Sequence, residues 1–165
     1  MKTLVIGGTG GIGKELANKF LADAVGRTTD LTSDSFLESC SDYDLIINCL
    51  PTEYQYELAV KLFDYLNSLD KKTRVITFGN TGCRLFETSN YKRKIAEWND
   101  QLTVSKTFIQ HTLLHISWAW NSADQCPIQK LSKNDIDILV ETIVNLSASF
   151  HITELTVRGN FLSNS

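Results

Sequence analysis

Short unbroken apolar runs alternate with segments of helical periodicity along the whole chain. Leu4-Val5-Ile6 leads straight into glycines, as a strand buried on both faces does. Gly11 to Leu21 then places Ile12, Leu16, Ala17 and Phe20 on one helical face. Ala24-Val25-Gly26 predicts a weak second strand, and Asp34 to Cys40 a short helix with Phe36 and Leu37 inward. Leu45-Ile46-Ile47 is a clear buried strand closed by Pro51. Glu53 to Leu69 predicts a long helix with a wide apolar stripe (Leu58, Ala59, Leu62, Phe63, Leu66, Leu69), wide enough to cover a sheet on one side and meet a partner on the other.

Arg74 to Phe78 is the next strand, stopped by Gly79-Asn80-Thr81-Gly82. Tyr91 to Leu102 is helical, with Tyr91, Ile95, Trp98 and Leu102 on one face. Thr112 to Ile116 reads as a strand and Leu131 to Leu146 as a helix opened by Ser132-x-x-Asp135, a weak capping box. Ile152 to Val157 closes the series as a strand. This alternation predicts an α/β class: a doubly wound parallel sheet of about six strands, helices on both faces and right-handed crossovers. Without a composition break, residues 1–165 read as a single domain.

Composition narrows the functional classes. The chain has 165 residues, 42% hydrophobic and 21% charged, with 9 Gly and 2 Pro and no internal period, which excludes disordered, collagen-like and repeat architectures. A net charge of −3 leaves no footprint for nucleic acid. The densest basic cluster, Lys92-Arg93-Lys94, reads as a solvated helix face. No stretch reaches the ~18 apolar residues of a membrane span, and the amino end does not read as a signal peptide. Cys40, Cys49, Cys83 and Cys126 lack metal spacing and suit a reducing cytoplasm.

The first strand and helix are joined by Ile6-Gly7-Gly8-Thr9-Gly10-Gly11-Ile12-Gly13. Gly8, Gly10 and Gly13 satisfy G-x-G-x-x-G, while Gly7, Gly11 and Gly13 satisfy G-x-x-x-G-x-G. A diphosphate must approach such a backbone closely and sit where free N–H groups and about half a positive charge face it. Placed between a strand and a helix, the loop predicts a Rossmann-like dinucleotide site. An acidic residue about twenty positions on would hold the ribose hydroxyls of NAD, and an arginine would take the extra phosphate of NADP. Arg27, followed by Thr28 and Thr29, favours NADP, and nearby Asp30 keeps NAD as the alternative.

These residues resemble the short-chain dehydrogenase/reductase family over nearly the whole chain. Gly7–Gly13 is similar to that family's T-G-x-x-x-G-I-G, with Ile6 where Thr is usual. Asp30-Leu31-Thr32 resembles its D-V/L-T segment, which implies adenine contacts. Asp44 to Cys49 resembles the strand running into N-N-A-G, with Cys49-Leu50-Pro51 replacing the small residues beside Asn48 and implying an altered cofactor shelf. Ser132 to Val144 and Leu155 to Gly159 resemble the closing helix and strand. Only one strand–helix unit fits between Gly13 and Asp44 where the family has two, and Asn121–Leu131 is short for a substrate-covering loop.

The resemblance implies hydride transfer between a nicotinamide cofactor and a small carbonyl or alcohol substrate, with Tyr, Lys and Ser handling the proton and the substrate oxygen. A phenol with an ordinary pKa near 10 needs a neighbouring cation to work near neutrality. Here Tyr91 and Lys94 are three apart rather than four, and aligning Lys94-Ile95-Ala96 with the family's K-A-A sets Asn90 at the tyrosine position. Both spacings share a helix face, so Tyr91 and Lys94 remain the working pair. Thr81 supplies a hydroxyl at the serine position, with Asn80 as a hydrogen-bonding neighbour, and Tyr54 and Tyr56 are reserve acids.

His111 stands just before and His115 near the end of the Thr112–Ile116 strand, and a spacing of four on a strand sets them about 13 Å apart, too far for a shared metal. Trp118 and Trp120 are core residues or pocket walls. Two functions follow: an oxidoreductase, or a dinucleotide-binding module without catalysis. The resemblance also implies a homodimer through Glu53–Leu69 and Tyr91–Leu102.

Overall fold

The computed structural model describes residues 1–26, 28–80, 90–103, 109–116, 130–146, 151–157 and 159, and of residues 52, 53, 80, 90–92 and 103 only the backbone. Six strands form one parallel sheet: β1 (Thr3–Ile6), β2 (Asp23–Val25), β3 (Leu45–Asn48), β4 (Thr73–Asn80), β5 (Ile109–Ile116) and β6 (Glu154–Val157), in spatial order β2-β1-β3-β4-β5-β6. Among the described residues the helices are α1 (Gly11–Lys19), α2 (Asp34–Cys40), α3 (Thr52–Ser68), α4 (Asn90–Thr103) and α5 (Lys133–Val144). The expected Rossmann-like α/β fold is present, and most boundaries fall within two residues of those read from periodicity. β5 starts three residues earlier, because Ile109 and His111 add buried positions beyond the apolar run.

Both faces of the sheet are covered. On one, Val5, Ile47, Ile76 and Leu114 pack with Leu16 of α1 and with Ile136, Val140 and Ile143 of α5. On the other, Leu4, Ile6, Ile46 and Val75 meet Phe36 and Leu37 of α2 and Leu58, Leu62 and Leu66 of α3, while Ala59, Ile95, Ala96 and Leu113 close the α3–α4 seam. The wide stripe of α3 is thus spent inside the chain, between α2, the sheet and α4, except for Leu69, which follows the helix and is exposed. Its water-facing side carries Tyr54 and the Glu57–Lys61 ion pair, and that of α4 carries the Arg93–Glu97 pair.

One expectation fails. From β3 to β6 the chain advances steadily across the sheet, yet α3 and α4 lie on one face and α5 on the other. The β5–α5–β6 connection therefore has the opposite hand to its predecessors, so crossovers of a single hand do not hold throughout. The handedness rule comes from a twisted strand feeding directly into a packed helix. Here the chain runs from Ile116 to Lys133 before α5 begins, too long a link to transmit that twist.

Local chemistry sets several element ends. Ser33 caps α2 by accepting from the Phe36 N–H at 3.3 Å. Ser132 opens α5 with a complete capping box: its Oγ accepts from the Asp135 N–H, and its own N–H donates to Asp135 Oδ2 at 2.7 Å.

Candidate functional site

β1 lies between β2 and β3, so the chain leaves it first to one side and then to the other. This reversal opens a crevice at the carboxyl ends of β1 and β3, where open α/β sheets bind ligands. The glycine loop sits there. Gly7 and Gly8 donate to Val25 O at 2.8 and 3.1 Å, and Cys49 N–H donates to Ile6 O at 2.8 Å, tying the ends of β2, β1 and β3 together.

The loop's glycines have different tasks. Gly7 adopts φ +82, a left-handed conformation that side chains disfavour. At Gly13 a Cβ would lie 2.3 Å from Gly7 O and 3.2 Å from Cys49 Cβ, so this glycine lets α1 press against the strand ends. At Gly10 a Cβ would meet nothing within 4 Å. Gly10 has extended backbone, is the N-cap of α1 and offers no side-chain cap, and no acidic residue occupies the first turn. The first-turn N–H groups that follow Gly10 therefore have no side-chain cap among the described residues, and the space beside Gly10 is open. Thr9 packs its side chain against Gly26, bracing the loop from the β2 side.

A cleft of about 580 Å³ opens beside Leu50, whose backbone N packs against Gly7, with none of Gly7–Gly13 in its walls. Asp30, Leu31 and Thr32 line one wall, and Leu50, Pro51, Tyr54 and Leu58 the other. Asp30 Oδ1 accepts from Thr32 N–H at 3.1 Å and Thr32 Oγ1 at 3.0 Å, while its carbonyl accepts from Ser33 Oγ at 2.9 Å. This turn presents the Asp30 carboxylate on the cleft wall. Thr28 is exposed beside it, and Arg27 lies outside the described residues.

Asn48 is 1% exposed, and its Oδ1 accepts from Leu50 N–H at 3.2 Å, shaping the turn that leaves β3. Cys49 sits in that turn against Gly13, and burial pushes its thiol pKa upward, leaving it a neutral packing group. Gln55, which sequence reading passed over, spans the ends of two strands, its Nε2 donating to Leu50 O at 2.6 Å and to Phe78 O.

Of the residues read as proton-handling, Thr81 lies outside the described residues, as do Trp118 and Trp120. Asn80 ends β4 and Tyr91 lies in the first turn of α4, both with backbone alone described. Lys94 is exposed, with its Nζ 5.9 Å from the centroid of the Tyr56 ring, so one of the two reserve tyrosines is the described aromatic neighbour of this cation.

The two histidines of β5 do not share a ligand. His111 Nδ1 lies 2.8 Å from Asn99 Oδ1, and its Nε2 lies 3.0 Å from Thr77 Oγ1. Asn99 also donates from Nδ2 to Thr153 O at 3.2 Å, so its oxygen faces the ring and the Nδ1–H tautomer satisfies every partner. Burial, with a smaller contribution from His151, drives the His111 pKa down to about 3. His115, fully buried, sets its Nε2 2.8 Å from Glu154 Oε1. Its ring also occupies the place of a Cβ at Gly79, which would approach Nδ1 to 2.6 Å. Among the described residues no cluster of three or more His, Cys, Asp or Glu side chains is arranged to hold a metal ion, and no helix is long and apolar enough to cross a membrane.

No protein-family model and no curated protein sequence matches the chain. Solved structures match it by shape. A short-chain dehydrogenase from Leptospira borgpetersenii with bound NAD+ has a TM-score of 0.69 at 15% identity, over 96% of this chain and 91% of that one. Serine dehydrogenase from Escherichia coli has a TM-score of 0.64 at 13% identity, over 96% and 97%. The 3-alpha-hydroxysteroid dehydrogenase from Pseudomonas sp. B-0831, complexed with NADH, has a TM-score of 0.66 at 12% identity, over 95% and 94%. At these identities the likeness is one of architecture: the chain is built on the Rossmann-like fold of the short-chain dehydrogenases/reductases.

Proposed function

We propose that this chain is a single dinucleotide-binding domain, acting as an NAD(P)-dependent oxidoreductase on a small carbonyl or alcohol substrate. The observation that carries the reading is the open space at Gly10, directly before uncapped helix N–H groups, at the crevice where the strand order reverses. Gly7, Thr9, Gly10, Gly11, Ile12 and Gly13 would hold the diphosphate. Asp30 and Leu31, on the wall of the 580 Å³ cleft, would hold the adenosine end. Asn48, Cys49, Leu50 and Pro51 form the shelf beyond it, with Asn48 fixing the turn rather than reaching outward. Arg27 and Thr28 support NADP as the preferred form, with Asp30 keeping NAD in competition. The structural neighbours bound to NAD+ and NADH support the class of cofactor.

The nicotinamide cofactor, when bound, supplies or accepts the hydride. This chain's residues manage the proton and the geometry. Tyr91 is the acid or base at the substrate oxygen, Lys94 the cation that favours its phenolate, and Thr81 and Asn80 orient the substrate oxygen. The position of Lys94 beside Tyr56 adds a second phenol to test. It also supports a second reading, a dinucleotide-binding module without turnover, in which Lys94 does no more than pack over that ring.

Calorimetry with NADPH and NADH tests binding. Gly10→Val is expected to change the melting temperature little and to lose affinity, because its Cβ meets nothing within 4 Å and its methyl groups fill the phosphate approach. Unchanged affinity in that variant overturns the reading. A carbonyl panel with NADPH then separates enzyme from module: turnover that collapses in Tyr91→Phe supports the first, and tight binding with no hydride transfer to any carbonyl supports the second. A cytoplasmic homodimer through α3 and α4 completes the proposal. Sedimentation at micromolar concentration tests it, and a monomer there contradicts it.

A further inference from the structure

Three buried side-chain polar atoms have no hydrogen-bond partner among the described residues: Gln55 Oε1, Thr73 Oγ1 and His151 Nε2. Thr73 begins β4 and His151 precedes β6, so both lie toward the amino ends of the strands, away from the crevice. Gln55 lies at the crevice end. It is 2% exposed, and its Nε2 bridges the carbonyls of Leu50, just past β3, and Phe78, near the end of β4. That bridge fixes the amide's orientation, since the flipped form would press Oε1 against two carbonyl oxygens. Oε1 is consequently turned away from both carbonyls. A buried amide oxygen without a donor is rare and unfavourable, and calls for a donor from outside the chain, a water or a ligand. Pro51 and Leu58, one helical turn before and after Gln55, line the cleft together with Leu50.

We propose that Gln55 is a cofactor-recognition residue whose Oε1 accepts a hydrogen bond from an amino N–H of the bound dinucleotide. The inference rests on the dinucleotide reading above. The clamp on Leu50 and Phe78 is what gives the acceptor its power to discriminate: it cannot turn to find another donor, so a ligand lacking the N–H leaves it orphaned. A dinucleotide carries two such groups, the nicotinamide carboxamide and the adenine amine.

The test uses the full chain and measures binding by calorimetry or fluorescence, without turnover. The parent dinucleotide is compared with its 3-acetylpyridine analogue, which lacks the carboxamide N–H, and its hypoxanthine analogue, which lacks the adenine amine. The wild type is expected to bind one analogue about 10-fold more weakly, and which one identifies the donor. Gln55→Met is expected to bind parent and analogue equally. Gln55→Lys, which keeps a donor for the two carbonyls and removes the acceptor, should do the same, so a folding failure of the first variant does not leave the question open. Equal affinities in the wild type, or discrimination that survives in a folded Gln55 variant, overturn the inference while dinucleotide binding stands. A wild type that binds no dinucleotide overturns the function reading and this inference together.

Discussion

A leucine that is 94% exposed ends α1 in a left-handed conformation, with Leu21 at φ 48. Its side chain buries nothing there, and its Cβ strains the turn. Leu21→Gly is therefore expected to stabilise the fold by about 0.5–1 kcal/mol, the relief of strain outweighing the extra freedom of glycine when unfolded. A rise of a few degrees in the thermal midpoint would register it. Gly13 is the opposite case. A methyl group at this position would collide with the backbone of Gly7, which cannot retreat without breaking its bond to Val25 O. Gly13→Ala should lower the midpoint sharply in circular-dichroism melts, where Gly10→Val changes it little.

The two kinds of glycine look alike in the sequence, because the motif marks a loop without saying which carbons face atoms and which face emptiness. Gln55 was invisible for a related reason: a glutamine inside an amphipathic helix reads as a surface residue, and the carbonyls that bury it come from positions 50 and 78. Asn99, the partner of His111, was missed in the same way. Asn48 and Pro51 were legible because their effect is local, a side chain shaping its own turn.

Among the elements, α5 shows how one side chain can finish a helix from afar. Its closing carbonyls, Ile143 O and Val144 O, accept from Arg74 Nη1 on β4, and the guanidinium also donates to Gln110 Oε1 at 2.8 Å. A cation at this end also opposes the helix dipole. Arg74→Met keeps much of the stem packing and removes the donors, and should cost about 1–3 kcal/mol in urea unfolding. Helix existence was readable from periodicity, and the start of α5 from Ser132 and Asp135. Its end was not, because the group that satisfies it lies on a strand far away in sequence.

For the whole molecule, acid should be destabilising in a defined window. His111 is held neutral, with its pKa near 3 against an ordinary value of 6.5, and burial also lowers His151. Between those limits the unfolded chain binds the proton that the folded chain refuses, so stability is complete above about pH 6.5 and falls as the pH drops toward 3. For His111 alone the loss from pH 7 to pH 5 is about 2 kcal/mol. Chemical denaturation at the two values should show it, and His111→Gln should remove most of the difference. The order of strands and helices followed from the alternating pattern. The opposite hand of the last crossover did not, since which face a helix takes is decided by a long link and not by the helix's own stripe.

That last crossover has a consequence for how the chain is born. The face over Ile47, Ile76 and Leu114 is shared by α1, made first, and α5, made near the end. Until the ribosome has released α5, much of this greasy surface has no lid of its own. A nascent chain halted before Lys133 should therefore be sticky and in need of a chaperone, although five of its six strands have already been synthesised.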